Sequence, residues 1–118
     1  MNTQHQDLDE EIEIQRKEAA VLAQMLFQDE VDDLKWMMKS RRGRRVIWCQ
    51  LERAAIFRTS FNSEPLLMAR AEGFKEYGYH LLAMIHMHCP EHYATMVEES
   101  RERKLRNRSK SGSSNNRS

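Results

Sequence analysis

The sequence predicts an all-α protein, a small bundle of four to five helices with a disordered basic C-terminal tail. Apolar residues recur at three- and four-residue steps along most of the chain, which is the spacing of an amphipathic helix. No segment shows the alternation of apolar and polar residues that is typical of a strand. The final stretch, "NRSKSGSSNNRS", contains no apolar residue, a composition that favours disorder.

The first forty residues predict two helices. Over residues 7–27, no Gly or Pro interrupts the chain, and the acidic first turns suit the positive end of a helix dipole. The apolar stripe consists of Leu8, Ile12, Ala19, Leu22 and Leu26. Because this stripe is thin, we expect the helix to need a partner to order it. A second helix is predicted over residues 29–40, where acidic residues lead and basic residues trail.

Glycine and proline predict the remaining helix boundaries. Gly43 is interpreted as the residue that ends the second helix, and a third helix is expected over residues 44–57. Ser63 is a capping residue just before Pro65, so a fourth helix is predicted over 65–88. Pro90 then begins a fifth helix over residues 90–106.

Two glycines lie inside the predicted fourth helix. Gly73 and Gly78 each cost about 1 kcal/mol there relative to alanine. Both continue the apolar pattern, which includes Leu67, Phe74 and Ile85. We therefore interpret the glycines as sites of close backbone approach rather than as breaks.

Charge is distributed unevenly along the chain. The net charge is −8 for residues 1–33, +7 for 34–58, −4 for 59–100 and +6 for 101–118, giving +1 overall. Alternating blocks of this size favour pairing within the fold or between subunits. They differ from the uniform basic face of a dedicated nucleic-acid-binding protein.

The division of the chain into segments and its cellular compartment are predicted from charge, cysteine content and hydropathy. We assign residues 1–28 to an acidic amphipathic helix or arm, 29–104 to a helical domain and 105–118 to a disordered basic tail. Cys49 and Cys89 predict no disulfide framework, and the acidic N-terminus is unlike a secretory signal. No apolar run approaches the ~18 residues that span a bilayer. We expect a soluble protein of a reducing compartment, without a membrane span.

Of all segments in the chain, "HMHCPEH" is the one most similar to a metal-binding sequence. Imidazole and thiolate are zinc ligands, and pairs three or four residues apart supply two ligands from one helix. The candidates are His80, His86, His88, Cys89 and His92. Pro90 interrupts the helix between them, and a second pair would have to come from Cys49 or His5. We therefore predict no metal and no cofactor, with Cys89 on the apolar stripe and the histidines at a helix end.

Catalytic arrangements are not indicated either. Cys49 lies in the middle of a predicted helix, where thiols are usually inert. The adjacent carboxylates of Glu98 and Glu99 are expected on exposed helix, pointing apart. No Gly-rich phosphate loop, GxSxG or HExxH motif occurs, so we expect no enzymatic activity.

The run "RRGRR" allows two interpretations. Guanidinium groups near a helix N-terminus are suited to binding phosphates. The candidates for nucleic-acid contact are Arg41, Arg42, Arg44 and Arg45. A cluster of basic residues at that end also opposes the helix dipole, so an acidic group is expected nearby, and the acidic residues 1–33 are the internal candidate.

Several short motifs follow one another through the middle of the chain. They are an Arg pair before an apolar helix, a Leu-Glu step, Phe-Arg-Thr-Ser-Phe, a Glu-Gly segment and Pro-x-x-Tyr. They fall on Arg44, Arg45, Leu51, Glu52, Phe57, Arg58, Thr59, Ser60, Phe61, Glu72, Gly73, Gly78, Pro90 and Tyr93. Over residues 31–99 the chain resembles a family of short tailed-phage proteins, the Bordetella-phage type. Their genes lie among the virion structural and assembly genes of podovirus-like genomes.

The resemblance implies no enzymatic activity and no cofactor. One position differs, since Lys75 stands where the family pattern has an arginine, which keeps the charge but loses bidentate geometry. The residues expected in an interaction or structural network are Arg41, Arg42, Arg44, Arg45, Glu52, Arg58, Glu72, Lys75 and Tyr93. Within it, Arg44, Arg45 and Arg58 are predicted to meet Glu52 and Glu72, which leaves Arg41 and Arg42 to bind something else. On that division, Arg45→Ala is expected to lower stability clearly and Arg41→Ala hardly.

These observations predict a non-enzymatic phage protein that acts through protein–protein contacts in the head, tail or internal core. Its expected partners are other phage structural proteins and further copies of itself, in the virion or in the host cytoplasm during assembly. The alternative is a small DNA-associated helical module that uses the "RRGRR" run and the basic C-terminal tail.

Overall fold

The structure, a computed structural model, describes residues 3–115, with side chains described for residues 3–112. It contains helices α1 (Thr3–Lys39), α2 (Arg41–Arg53), α3 (Pro65–His88) and α4 (Pro90–Asn115). No strand occurs within residues 3–115, which confirms the predicted all-α class with four helices. The chain divides into two units, Met1–Asp33 and Leu34–Ser118.

Helix α1 corrects the prediction of two N-terminal helices. No break occurs near residue 28, because the chain has neither Gly nor Pro there. The side-chain amide of Gln28 donates a hydrogen bond to Asp32 Oδ1 at 3.0 Å, a pair one helical turn apart that supports the helix at the predicted junction. Every side chain of residues 3–30 is exposed.

Helix α2 begins at a serine cap rather than after a terminating glycine. Ser40 has extended backbone angles (φ −102°, ψ 151°), and its Oγ accepts a hydrogen bond from the amide of Gly43 at 2.9 Å. This satisfies one of the unpaired amides of the first turn. The predicted role of Gly43 as a helix terminator is therefore wrong. A Cβ at Gly43 would lie 1.7 Å from the carbonyl oxygen of Met37, so only glycine permits this crossing of the chain.

Helix α2 ends at Arg53, earlier than predicted, because Ala55 adopts a left-handed conformation (φ 56°). The amide of Ala55 donates to the carbonyl of Glu52 at 3.0 Å. A left-handed alanine costs about 1 kcal/mol or more relative to the right-handed form. The turn that it makes places Ile56 in the core at 7% exposure.

Helix α3 has the predicted bounds, but its cap is Glu64 rather than Ser63. The Glu64 carboxylate accepts a hydrogen bond from the amide of Leu67 at 2.8 Å. Pro65 occupies the first helical turn, where its missing amide costs nothing. A carboxylate at this position also suits the positive end of the helix dipole.

The two glycines of α3 differ in their surroundings. A Cβ at Gly78 would lie 2.4 Å from Ile56 Cγ2 and 2.6 Å from Ala54 Cβ, whereas a Cβ at Gly73 would meet nothing within 4 Å. The prediction of close backbone approach is therefore confirmed at Gly78 and wrong at Gly73.

We expect Gly78→Ala to lower the free energy of unfolding by about 1–3 kcal/mol, because it overpacks the contact between α2 and α3. The matched change Gly73→Ala is expected to raise it by about 0.5–1 kcal/mol, since alanine favours helix. Urea denaturation followed by tryptophan fluorescence measures both. Equal effects from the two substitutions would contradict the close approach at Gly78.

The core of the unit Leu34–Ser118 is small and lies between all four helices. Its buried apolar side chains are Leu34, Met38, Ile47, Leu51, Ala54, Ile56, Met84, Ile85, Cys89 and Met96. Ile47, Leu51 and Ala54 of the predicted third helix and Ile85 and Cys89 of the predicted fourth helix are among them. Leu67 and Phe74 are instead exposed, at 52% and 54%, because the first turns of α3 extend past the core.

Helix α4 runs beyond residue 106, where the sequence predicted its end, into the predicted tail. All side chains of residues 105–112 are exposed. A helical end without buried side chains is only marginally stable in water, in keeping with the predicted disorder. Residues 116–118 lie outside the described part of the chain.

Candidate functional site

The strongest polar contact joins α2 to α4. Arg44 Nη2 donates to Glu99 Oε1 at 2.7 Å, and Arg44 Nε donates to the two carboxylate oxygens at 3.1 and 3.2 Å. The side chains are only 12% and 10% exposed. Arg44 Nη1 also donates to the carbonyl oxygen of Met38 at 2.9 Å, in the last turn of α1. One guanidinium therefore links three helices.

This pairing differs from the predicted one, in which Arg44 meets Glu52 or Glu72. Glu99 was expected to be an exposed neighbour of Glu98, but adjacent residues on a helix point about 100° apart. Glu98 faces solvent, and Glu99 faces the core. The hydrogen bond from Arg44 lowers the pKa of Glu99, which the charges of Arg44, Arg41 and Arg103 also lower, while burial opposes them.

The lowered pKa gives the stability of this unit a pH dependence. A carboxyl whose pKa falls on folding contributes stability above its unfolded pKa of about 4.3, and this stability is lost as pH falls through the folded pKa. We therefore expect the difference in unfolding free energy between the wild-type chain and Glu99→Gln to be constant near neutral pH and to shrink below about pH 4. Urea titrations across this range test it. A difference that does not vary with pH would contradict the ion pair.

The other arginines of "RRGRR" lie at the surface. Arg41 Nη2 contacts Glu102 Oε2 at 3.0 Å, with side chains 61% and 52% exposed, a pair that contributes roughly 0–1 kcal/mol. Arg42 and Arg45 are exposed and form no ion pair within the described residues. The predicted grouping of Arg45 with Arg44 as a clamp is therefore wrong.

The predicted partners Glu52 and Glu72 accept hydrogen bonds from uncharged side chains. Trp48 Nε1 donates to Glu52 Oε1 at 2.5 Å, and Ser60 Oγ donates to Glu72. The loop before α3 is thus tied to that helix by Ser60 rather than by Arg58, which is exposed.

The last two predicted network residues lie apart from these contacts. Lys75 is buried in α3 at 8% exposure, and it makes no ion pair with any residue that the structure describes. Tyr93 is half-buried, with its ring 4.5 Å from that of His86 at an angle of 50°. Among the described residues, neither Lys75 nor Tyr93 forms a hydrogen bond or an ion pair with Arg44 or Glu99.

The histidine–cysteine segment forms no metal centre in the described part of the chain. No three His, Cys, Asp or Glu side chains among residues 3–112 come together to hold an ion. Cys89 is 1% exposed. Burial raises the pKa of its thiol, which Glu91 raises further and Lys35 lowers. The thiol is therefore protonated at neutral pH.

Beside the Arg44–Glu99 pair lies an open groove, which we call the α2–α4 groove. It has a volume of about 270 Å³ and is lined by Arg45, Trp48, Cys49, Glu52, Ser100, Arg103, Lys104 and Asn107. These residues repeat at three- and four-residue steps on each helix, so both helices present one face to it. The cations of Arg45, Arg103 and Lys104 outnumber the single carboxylate.

The groove continues into a second depression of about 170 Å³. Its lining includes Ala55, Phe57 and Arg58, together with Trp48 and Lys104 from the first. The rings of Trp48 and Phe57 stack with centroids 5.6 Å apart. Phe57 is 56% exposed. Two aromatic rings beside the cationic side chains of Arg58 and Lys104 suit an acidic ligand that also carries apolar groups.

The sequence profile of the Bbp19-like phage protein family matches residues 34–98. This is more than half of the chain. The chain belongs to the Bbp19-like phage protein family. No curated protein and no solved structure matches it significantly.

The Bbp19-like region, residues 34–98, covers most of the buried core and the short motifs from Arg44 to Tyr93. Residues 3–33 of α1 and the cationic part of α4 lie outside it. Glu99 is the first residue after the match. Within residues 3–115, no helix is long and apolar enough to cross a membrane.

The sequence did not predict the pairing of Glu99 or a role for Trp48, and it indicated Arg103 and Lys104 only within the basic residues 101–110 of the DNA-associated alternative. The spacing of Ser100, Arg103, Lys104 and Asn107 was a usable signal, since it places four polar residues on one helical face. Which helix this face meets could not be seen from spacing alone.

Proposed function

We propose that this member of the Bbp19-like phage family is a non-enzymatic, virion-associated or assembly protein that acts through protein–protein contacts. We place it in the head, tail or internal core of a podovirus-like particle, or in the host cytoplasm during assembly. Its partners are other phage structural proteins. Family membership supports the phage setting, and the surface of α1 supports the mode of action.

The observation that carries this proposal is the exposed apolar face of residues 3–30. Seven apolar side chains in this segment are between 47% and 60% exposed: Leu8, Ile12, Ile14, Val21, Leu22, Met25 and Leu26. Scattered apolar residues are normal on a surface, but exposed apolar residues grouped on one side of a helix mark an interaction site. An amphipathic helix of this kind binds by laying its apolar face against another surface.

The test is to count copies of this chain in purified phage particles by quantitative mass spectrometry, with the major capsid protein as internal standard. A fixed copy number that matches a ring or vertex symmetry is expected for a structural component. Presence in infected-cell lysate and in immature particles, with loss on maturation, is expected for an assembly factor. Absence from mature particles, immature particles and complexes of phage structural proteins isolated from the infected-cell lysate would contradict the proposal.

A second candidate is DNA association, favoured by the exposed cations. Arg42 and Arg45 are exposed on α2, and Arg101, Arg106, Arg108 and Lys110 are exposed on α4. If several of them neutralise phosphates, the logarithm of the affinity falls with the logarithm of salt concentration by about 0.9 per phosphate. A fluorescence-anisotropy titration with duplex DNA at several salt concentrations measures this slope. A slope near zero would remove this candidate.

A further inference from the structure

We infer that the acidic helix of one copy, residues 3–30, docks in the α2–α4 groove of a second copy, so that chains associate head to tail. This inference deepens the proposed function by naming one partner, and it rests on the protein–protein mode of action proposed there. Two exposed surfaces carry it, and they are complementary in charge and in apolar character.

Charge indicates which surface the helix of residues 3–30 binds, a second such helix or the α2–α4 groove. Residues 1–33 have a net charge of −8, so two such helices that paired with each other would repel. The α2–α4 groove and its extension carry Arg45, Arg58, Arg103 and Lys104 against Glu52. Opposite charge on the two surfaces favours encounter and fixes partner choice.

The position of the acids on the helix sharpens this argument. Glu11 lies one turn before Ile14, and Glu18 lies one turn before Val21 and Leu22, so both carboxylates lie on the same side of the helix as the apolar residues. Self-pairing through this face would bring glutamates of two chains together. In the groove, the same carboxylates meet Arg103 and Lys104.

The helix and the groove also match in their apolar surfaces. Val21, Leu22 and Met25 surround a shallow, largely apolar depression on the helix, edged by Lys17 and Glu18. The groove offers the indole of Trp48 and the exposed ring of Phe57. Aromatic side chains are enriched at protein interfaces relative to the rest of the surface. We assign Leu22 and its neighbours to the contact with Trp48.

A single contact between two different surfaces leaves one free helix and one free groove in the dimer. Such heterologous contacts continue until they close into a ring or extend as a filament. An isologous pairing of two helices would instead stop at the dimer. This difference in stoichiometry makes the inference testable with the chain alone.

The experiment uses three full-length chains: the wild type, a helix variant (Leu22→Ser with Leu26→Ser) and a groove variant (Arg103→Glu with Lys104→Glu). The substituted leucines and Lys104 are exposed and Arg103 is half-buried; none of them belongs to the buried core, so each variant is expected to fold. Circular dichroism and tryptophan fluorescence check this. Sedimentation velocity then measures association in low salt, at about 0.05 M, and in about 0.5 M salt, where exposed charges are screened.

We expect the wild type to form species larger than a dimer that weaken at least about tenfold in the higher salt. Each variant alone should be monomeric. An equimolar mixture of the two variants should form heterodimers and nothing larger, because only one intact helix can meet one intact groove.

Three outcomes would overturn the inference: a monomeric wild type, a groove variant that dimerises by itself, or a mixture that stays monomeric. Self-dimerisation of the groove variant would show helix-to-helix pairing instead. A chain that is monomeric in solution but present at fixed copy number in particles would contradict this inference and still support the proposed function.

Discussion

Arg44→Ala is expected to lower the free energy of unfolding of the unit Leu34–Ser118 by about 3–5 kcal/mol. The substitution removes the guanidinium that contacts Glu99 at 2.7 Å and leaves that carboxylate 10% exposed without its cation. It also removes the donor to the Met38 carbonyl. Breaking a buried pair on one side costs more than the pair contributes, because an uncompensated charge remains in the core.

Arg42→Ala is the matched control for this prediction. Arg42 lies on the same turn of α2 and is exposed, so its replacement is expected to change stability by no more than about 0.5 kcal/mol. Arg45→Ala is expected to behave like Arg42→Ala, contrary to the expectation from the sequence. Urea denaturation followed by tryptophan fluorescence measures all three. Similar losses at positions 42 and 44 would contradict the clamp assigned to Arg44.

Gly43→Ala is expected to destabilise the same unit by about 3 kcal/mol, at the upper end of the range for overpacking. The added methyl would lie 1.7 Å from the carbonyl oxygen of Met37. Because the obstacle is backbone rather than a flexible side chain, the crossing of α1 and α2 must open. The Ser40 cap, which bonds the amide of Gly43, would be disturbed with it.

Ser40→Ala separates these two effects, since it removes the cap and adds no atom. Its expected cost is about 1 kcal/mol. Thermal unfolding of both variants, followed by circular dichroism and tryptophan fluorescence, gives the comparison. A Gly43→Ala protein as stable as Ser40→Ala would mean that the crossing is not close-packed.

The fold was predictable wherever a local rule decides it. Pro65 and Pro90 determined where α3 and α4 begin, because proline fits only the first turn of a helix. Ser40 and Gly43 were misinterpreted because glycine after a basic run resembles a helix end. The decisive fact, the distance from Gly43 to Met37, depends on how two helices cross.

The candidate site was less predictable than the helices. The sequence indicated that the Arg run needs an acidic neighbour, and this reasoning applies to Arg44. The chosen partners were glutamates nearer in sequence, whereas Glu99 lies 55 positions away. Ion pairs across such a separation depend on which helices pack together, and neither spacing nor composition carries that information.

The exposed end of α4 carries cations one turn apart, Lys104 with Arg108 and Arg106 with Lys110. Like charges at this spacing disfavour the helix, so an acidic ligand that neutralises them would increase its helical content. Part of the binding free energy is then used to order residues 105–112, which lowers affinity per contact without lowering selectivity for acidic ligands. If an acidic ligand binds at this end of the molecule, we expect its association to be coupled to folding and its enthalpy to be more favourable than rigid docking would give.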